Sequence, residues 1–292
     1  MTRMLVFVAA LLLTAITVSS ACVAQSGAPL QFTIEPAHRS GEIYVRFQRD
    51  RNGHSENNWS TSFRPSELAG LDIGALNSPG TRPVRFAVVR DAGRVDCAGL
   101  GGNQMARGTC SVTTDSAFLR LLADNRIGQP TADQAFALIA VNVRRDLVAA
   151  LGEARYPTPT IEQLIELSAV DVTPAYIRAL AAQGYRPPSI QGLVEFGALK
   201  ITPEYIGSFA RAGYGDLKPD ELVQLKALEI TPEYIAGFDR IGYGRLPIGT
   251  LVQLKAMDIT PDYVRAVAQG GILPSPDHLV QLKAVTGDIR KR

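Results

Sequence analysis

LVQLKALEITPEYIAGFDRIGY, from Leu222 to Tyr243, is one copy of a pattern that returns every 29 residues and decides how the C-terminal half is read. Thr173-Pro174, Thr202-Pro203, Thr231-Pro232 and Thr260-Pro261 recur at that interval, each followed two positions after the proline by Tyr176, Tyr205, Tyr234 or Tyr263. Gly184-Tyr185, Gly213-Tyr214 and Gly242-Tyr243 keep the same phase, as do Leu167, Phe196, Leu225 and Leu254, and Ala169, Ala198, Ala227 and Ala256. Periods of this length are the mark of stacked supersecondary repeats. Leu138, Ala140, Leu147 and Tyr156 form a degenerate first copy, and Leu282 and Ala284 a truncated last one that arrives one residue early. Atypical end copies are expected where an array must be closed off.

Each unit reads as two helices. In the second, which we call helix B, the Thr hydroxyl accepts an orphan amide and Pro presets the first helical residue. Glu204, Glu233 or Asp262 then faces the positive end of the dipole. Gly184, Gly213 and Gly242 end it, in the left-handed conformation that glycine adopts without a Cβ clash. The first helix, helix A, for example Pro219 to Leu228, is apolar at Leu222, Val223, Leu225, Ala227 and Leu228. At 100° per residue these positions cover most of the circumference, so burial on more than one side is expected. A lone hairpin could not provide it, and stacked neighbours would.

This pattern resembles a short helical repeat of bacterial exported proteins, also found in the extracytoplasmic parts of antibiotic-sensing membrane metallopeptidases of the Bla/Mec receptor type. The resemblance covers roughly Asp133 to Val285. It implies a helical-repeat fold and carries no catalytic residues. The metallopeptidase signature of two histidines flanking a glutamate on one helix is absent from this sequence.

The N-terminus agrees with export. Met1-Thr2-Arg3-Met4 is a short positive start, Leu5 to Val18 is apolar and Ser19 to Ala24 is small, which reads as a secretory signal over residues 1–24. The apolar run is short for a membrane span, which needs about 20 residues. A lipoprotein acylated on Cys22 is the alternative, against which Ser19 stands where a large aliphatic residue is usual. What remains carries a net charge near +1, since the whole chain is at +2. That balance gives no electrostatic footprint for nucleic acid. With 46% hydrophobic residues there is enough apolar mass for one large or two ordinary domains.

Residues 25–130 read differently from the repeats. Ile43, Val45 and Phe47 alternate with Tyr44, Arg46 and Gln48, and Val84, Phe86 and Val88 with Arg85 and Ala87, the period-2 pattern of half-buried strands. Arg51-Asn52-Gly53, Asn77-Ser78-Pro79-Gly80 and Asp91-Ala92-Gly93 mark turns. Pro65 to Leu68 reads as a helical turn and Ser116 to Ala123 as a helix capped by Asp115 or Ser116. Cys97 and Cys110 lie in two alternating segments, and one antiparallel register sets Val95 opposite Val112 and Cys97 opposite Cys110. In an oxidising compartment that predicts a cross-strand disulfide; the alternative is two free buried thiols.

The expected class is therefore α+β: a small antiparallel β domain, sheet or sandwich, over 25–130, followed by an α-solenoid of about five helical hairpins over 131–292. Chemistry is sparse. His38, His54 and His278 lie in different elements, with no clustered ligands at metal spacing. Gly99-Leu100-Gly101-Gly102 lacks a third phosphate-loop glycine and does not open a helix, and Gly-x-Ser-x-Gly does not occur. No catalytic residue, metal or cofactor is expected. The candidate contact residues are two rows repeated along the array: Lys226, Lys255 and Lys283 near the ends of the first helices, and Tyr185, Tyr214 and Tyr243 after the second. Packing explains tyrosines at such positions, and dipole complementation with an apolar stem explains the lysines. The sharper expectation is a ladder offered to an acidic protein or an envelope polymer. The functional expectation is an exported, non-catalytic binding or scaffold protein of the periplasm or exterior. The alternatives are an accessory of an envelope sensing system, or a hydrolase with its site in the β domain.

Overall fold

A computed structural model describes residues 29–36, 41–51, 54–268 and 272–286. The segment over 1–24 expected to be a signal, Cys22, His38 and the Asn52-Gly53 part of an expected turn lie outside them. Six strands come first: β1 (Leu30–Glu35), β2 (Ile43–Arg51), β3 (His54–Phe63), β4 (Arg82–Arg90), β5 (Gly93–Gly102) and β6 (Met105–Thr114). They form one sheet in the order β3-β2-β1-β6-β5-β4, every neighbouring pair antiparallel, so the sheet alternative holds and the sandwich does not. A single 3-10 turn, Pro65–Glu67, and a short helix, α1 (Ile73–Asn77), lie between β3 and β4.

The sheet follows its alternation. Leu30, Phe32, Ile34, Val45, Phe47, Val84, Phe86, Val88 and Val95 are buried, while Gln31, Arg107, Thr109 and Ser111 on the other face are exposed. Val95 pairs with Val112 and Cys97 with Cys110, the expected register. The two cysteines stand at disulfide distance, with their Cα atoms 4.1 Å apart. Gly99 lies opposite Gly108 in the middle of the sheet, where a Cβ on Gly108 would run into the Phe32 ring. The glycine-rich stretch is therefore a seat for an aromatic core: Phe32 meets Phe86 edge-on at 5.0 Å.

Twelve further helices follow: α2 (Ser116–Asp124), α3 (Ala132–Ala140), α4 (Arg145–Glu153), α5 (Ile161–Ala169), α6 (Pro174–Ala182), α7 (Ile190–Ala198), α8 (Pro203–Arg211), α9 (Pro219–Ala227), α10 (Pro232–Arg240), α11 (Ile248–Ala256), α12 (Pro261–Val267) and α13 (Pro276–Thr286). Those from α2 to α11 are each nine residues long. An isolated helix of that length is unstable in water, so its ends and its neighbours must hold it. Thr173, Thr202, Thr231 and Thr260 each accept the backbone N–H of the tyrosine three residues on, as expected, with Pro in the first turn. Asp115 caps α2 in the same 29-residue phase. The rhythm of the array is thus already present before Thr131.

The C-terminal ends are equally regular. Gly184, Gly213 and Gly242 have φ of +78°, +88° and +105°, and Arg126 and Arg155 hold the preceding equivalent positions at +59° and +58°. The other helix of each pair ends the same way on residues with a Cβ: Asn142, Asp171, Lys200, Glu229 and Asp258, with φ between 51° and 59°. Around Lys200, the N–H of Ile201 reaches back to Phe196 O at 2.9 Å and that of Lys200 to Gly197 O at 3.0 Å. The same pair of bonds surrounds Asp171 and Glu229. This is the Schellman closure, and its apolar partner is the buried residue that follows: Val143, Val172, Ile201, Ile230 or Ile259.

Helices alternate in packing, α3 against α5, α5 against α7, α4 against α6, α9 against α11, α10 against α12 and α11 against α13. Helix A is less enclosed than its composition implies. Leu222 and Leu225 are buried and Val223 and Leu228 half-buried, but Ala227 and its equivalents Ala169, Ala198 and Ala256 are exposed. Their small side chains carry little apolar area, so leaving them in water costs little. At the other end, α3 packs on β4, β5 and β6, and the Arg145 backbone N–H donates to the Asp91 carboxylate in the β4–β5 turn at 3.0 Å. Buried side chains form one cluster from Leu30 to Leu279.

Substitution at the two kinds of left-handed helix end should act in opposite directions. Gly213→Val should lower the stability read by thermal unfolding by more than the about 1 kcal/mol expected for loss of the Thr231 cap in Thr231→Ala. Glu229→Gly should raise it by about 0.5–1 kcal/mol, because Glu229 adopts its φ of 51° against its own Cβ. A Gly213→Val protein that melts with the wild type would place that helix end elsewhere.

Candidate functional site

The lysine and tyrosine rows meet in pairs. Lys226 Nζ sits 4.5 Å from the centre of the Tyr205 ring, Lys255 Nζ 5.2 Å from Tyr234 and Lys283 Nζ 4.7 Å from Tyr263. In each case a lysine of helix A covers a tyrosine of the helix B before it, a cation–π contact. All three lysines are half-buried, and Lys283 also lies 3.4 Å from Asp258 O at the end of α11. Each charge serves a ring, and that of Lys283 a helix end as well.

The ring beneath is tied down as well. Tyr176 donates its hydroxyl to Ile201 O at 2.7 Å, and Tyr234 to Ile259 O at 2.8 Å, in each case the carbonyl just after a left-handed helix end. Tyr205 and Tyr263 bury their hydroxyls without a hydrogen-bond partner. Tyr205 and Tyr234 also meet Phe209 and Phe238 edge-on at 5.0 and 5.1 Å. Burial holds these phenols protonated: Tyr176 and Tyr205 are pushed up to about 12, and Tyr234 is raised further by burial and by nearby Asp258.

The second row behaves differently from its expected role. Tyr214 is only 3% exposed and gives its hydroxyl to Leu246 O at 2.8 Å, so it is not a surface contact residue. It is the apolar residue of a Schellman closure, drawn inward because its N–H returns to Phe209 O. Tyr243 bonds to Pro274 O, and it and Tyr185 are half-buried. Arg245 lies over Tyr214 at 4.9 Å, and Arg186 over Tyr156 at 4.6 Å while donating to Ala154 O at 2.8 Å.

A different candidate lies where the sheet meets the first helices. A cavity of about 250 Å³ is bounded by β1, β2, β3, α3 and α5, and seven of its ten lining residues are apolar. Trp59 and Phe136 form an aromatic wall, 6.1 Å apart edge to face, backed by Phe47 at 5.6 and 5.5 Å. At its rim Arg49 pairs with Asp133 in the first turn of α3. Arg49 is set on the core face by strand alternation two residues after Phe47, which leaves its side chain 13% exposed and its Nε buried without a partner. None of these residues stands out in the sequence except Trp59, the only tryptophan of the chain. Among the described residues no cluster of three or more His, Cys, Asp or Glu is arranged to hold a metal ion, and no helix is long and apolar enough to cross a membrane.

The chain matches no family model, no curated protein and no solved structure.

The tyrosine ladder sets an alkaline limit. Because the folded-state values of Tyr176 and Tyr205 lie above the unfolded value of 10, the stability they contribute is complete below pH 10 and is lost as the pH rises through about 12. The melting temperature should fall over that interval. Tyr234→Phe should cost about 1 kcal/mol by removing a hydrogen bond, whereas Tyr205→Phe, which removes an unpartnered buried hydroxyl, should be neutral or stabilising. Equal losses in the two variants would contradict the assignment of their hydroxyls.

Proposed function

We propose that this chain is an exported, non-catalytic binding or scaffold protein of the bacterial envelope, in which an α-solenoid of helical hairpins presents a repeated surface to a protein or polymer partner. One observation carries the reading. Left-handed helix ends return with a 29-residue phase from Arg126 to Asp258, and helices two apart pack together at both ends of the series, from α3 to α7 and from α9 to α13, which supports units that rest chiefly on their neighbours. Arrays built this way present long surfaces with regular chemical spacing, which suits recognition better than catalysis. The sheet then serves as the covered N-terminal end of the array, since α3 buries its apolar face on it. Export is supported by the cysteine pair at disulfide distance, which an oxidising compartment maintains. A role as accessory to an envelope sensing system is the same reading with a signalling partner.

The half-buried Lys226, Lys255 and Lys283 are the charges this surface repeats. Capture of partners from the envelope fraction with the full mature chain, compared with a variant carrying Gln at all three positions, tests the proposal. Gln keeps most of the stem and removes the charge, so loss of capture and of its salt dependence is expected. The lost cation–π contacts should lower stability by about 0.5–1 kcal/mol each. Undiminished capture by a folded triple variant would remove the lysines from the surface. Turnover of an envelope polymer by the purified chain would overturn the non-catalytic reading.

A further inference from the structure

The cavity between the sheet and the first helices has a charge pattern as well as a size. Its walls are apolar: Trp59 from β3, Phe136 and Ala140 from α3, and Ile165 from α5. Its rim carries one positive and one negative group in contact, Arg49 and Asp133. The guanidinium is nearly enclosed, while the Asp133 side chain is 47% exposed. A ligand with a single charge would satisfy one of the two and leave the other short of its partner in a partly dry site, which is costly. A zwitterion satisfies both, its carboxylate accepting from the Arg49 guanidinium and its ammonium donating to the Asp133 carboxylate, two charge-assisted hydrogen bonds in place of one ion pair. Groups carrying those two charges on one carbon can enter such a pair without separating it far.

The size narrows the class further. At about 250 Å³ the cavity lies below the roughly 300–1,000 Å³ typical of sites for drug-sized ligands, so it takes a body of on the order of ten non-hydrogen atoms. The geometry points to a binding site for a free α-amino acid with an apolar side chain of leucine to phenylalanine size, its side chain against Trp59 and Phe136 and its charged end on Arg49 and Asp133. This site is separate from the lysine rows, and it stands or falls independently of the scaffold reading. It also gives the junction of sheet and helices a means of responding to a small molecule, because the ligand would touch β1, β2, β3, α3 and α5 at once.

Because Trp59 is the only tryptophan, its emission reports on this cavity alone. Titration of the full mature chain with leucine and with phenylalanine should give a saturable change in that emission. N-acetyl-leucine, which lacks the ammonium, and leucinamide, which lacks the carboxylate, should each bind about tenfold more weakly or worse, the equivalent of one lost charged hydrogen bond. Asp133→Asn should weaken leucine and remove its advantage over N-acetyl-leucine. Ala140→Phe, at a half-buried position on the wall, should fill the cavity and abolish the response while the protein still melts cooperatively. The proposal is overturned by any of three results in folded protein: no saturable response to either amino acid at several millimolar, equal binding of leucine and its two singly charged analogues, or a response that survives Ala140→Phe.

Discussion

A nine-residue helix is mostly ends. Its first four amides and last four carbonyls have no partner within it, so nearly every backbone group depends on what happens at the termini. In this chain that constraint is met in the same way along most of the array. A side-chain oxygen closes most N-termini, and a left-handed residue followed by a buried apolar one closes the C-termini. The packing follows from this closure. Returning the chain through a left-handed residue sends the next side chain inward, which places Val172, Ile201, Ile230 and Ile259 in the core.

The tyrosines extend this closure from one unit to the next. Tyr176 and Tyr234 hydrogen-bond the carbonyl after the following left-handed turn, and Lys226, Lys255 and Lys283 cover the rings of Tyr205, Tyr234 and Tyr263. Residues that look like a recognition surface when read as rows are thus first of all the fastening between successive helices. Removing them therefore tests stability and binding together. A change to Gln keeps most of the stem packing, so melting measured beside capture reads the lost cation–π contacts apart from the lost surface charge.

How much of this was legible in the sequence differs by element. The Thr-Pro starts and the Gly ends of the second helices were visible, because those residue types are selected by backbone geometry. The ends of the first helices were not, since Asp171, Lys200, Glu229 and Asp258 all carry a Cβ, are not the residue type selected for this conformation, and are held left-handed by the bonds around them. The exposure of Ala227 was likewise hidden, as alanine is compatible with either side of a helix surface. The register of Cys97 against Cys110 was readable from alternation alone. The Arg49, Trp59, Asp133 and Phe136 cavity was not, because it is assembled from three strands and two helices and no spacing along the chain announces it.

Hydrogen exchange of the native protein, resolved to single amides, tests the closure of the helix ends most directly. The amides of Val172, Ile201, Ile230, Ile259 and Tyr214 lie just past the helices, where a frayed chain would exchange at once. Bonded back to Leu167, Phe196, Leu225, Leu254 and Phe209, they should instead be protected as strongly as amides in the helix interiors. Exchange at these five positions at the rate of an open loop would contradict the account, because the stacking of the array would then rest on something other than its locked ends.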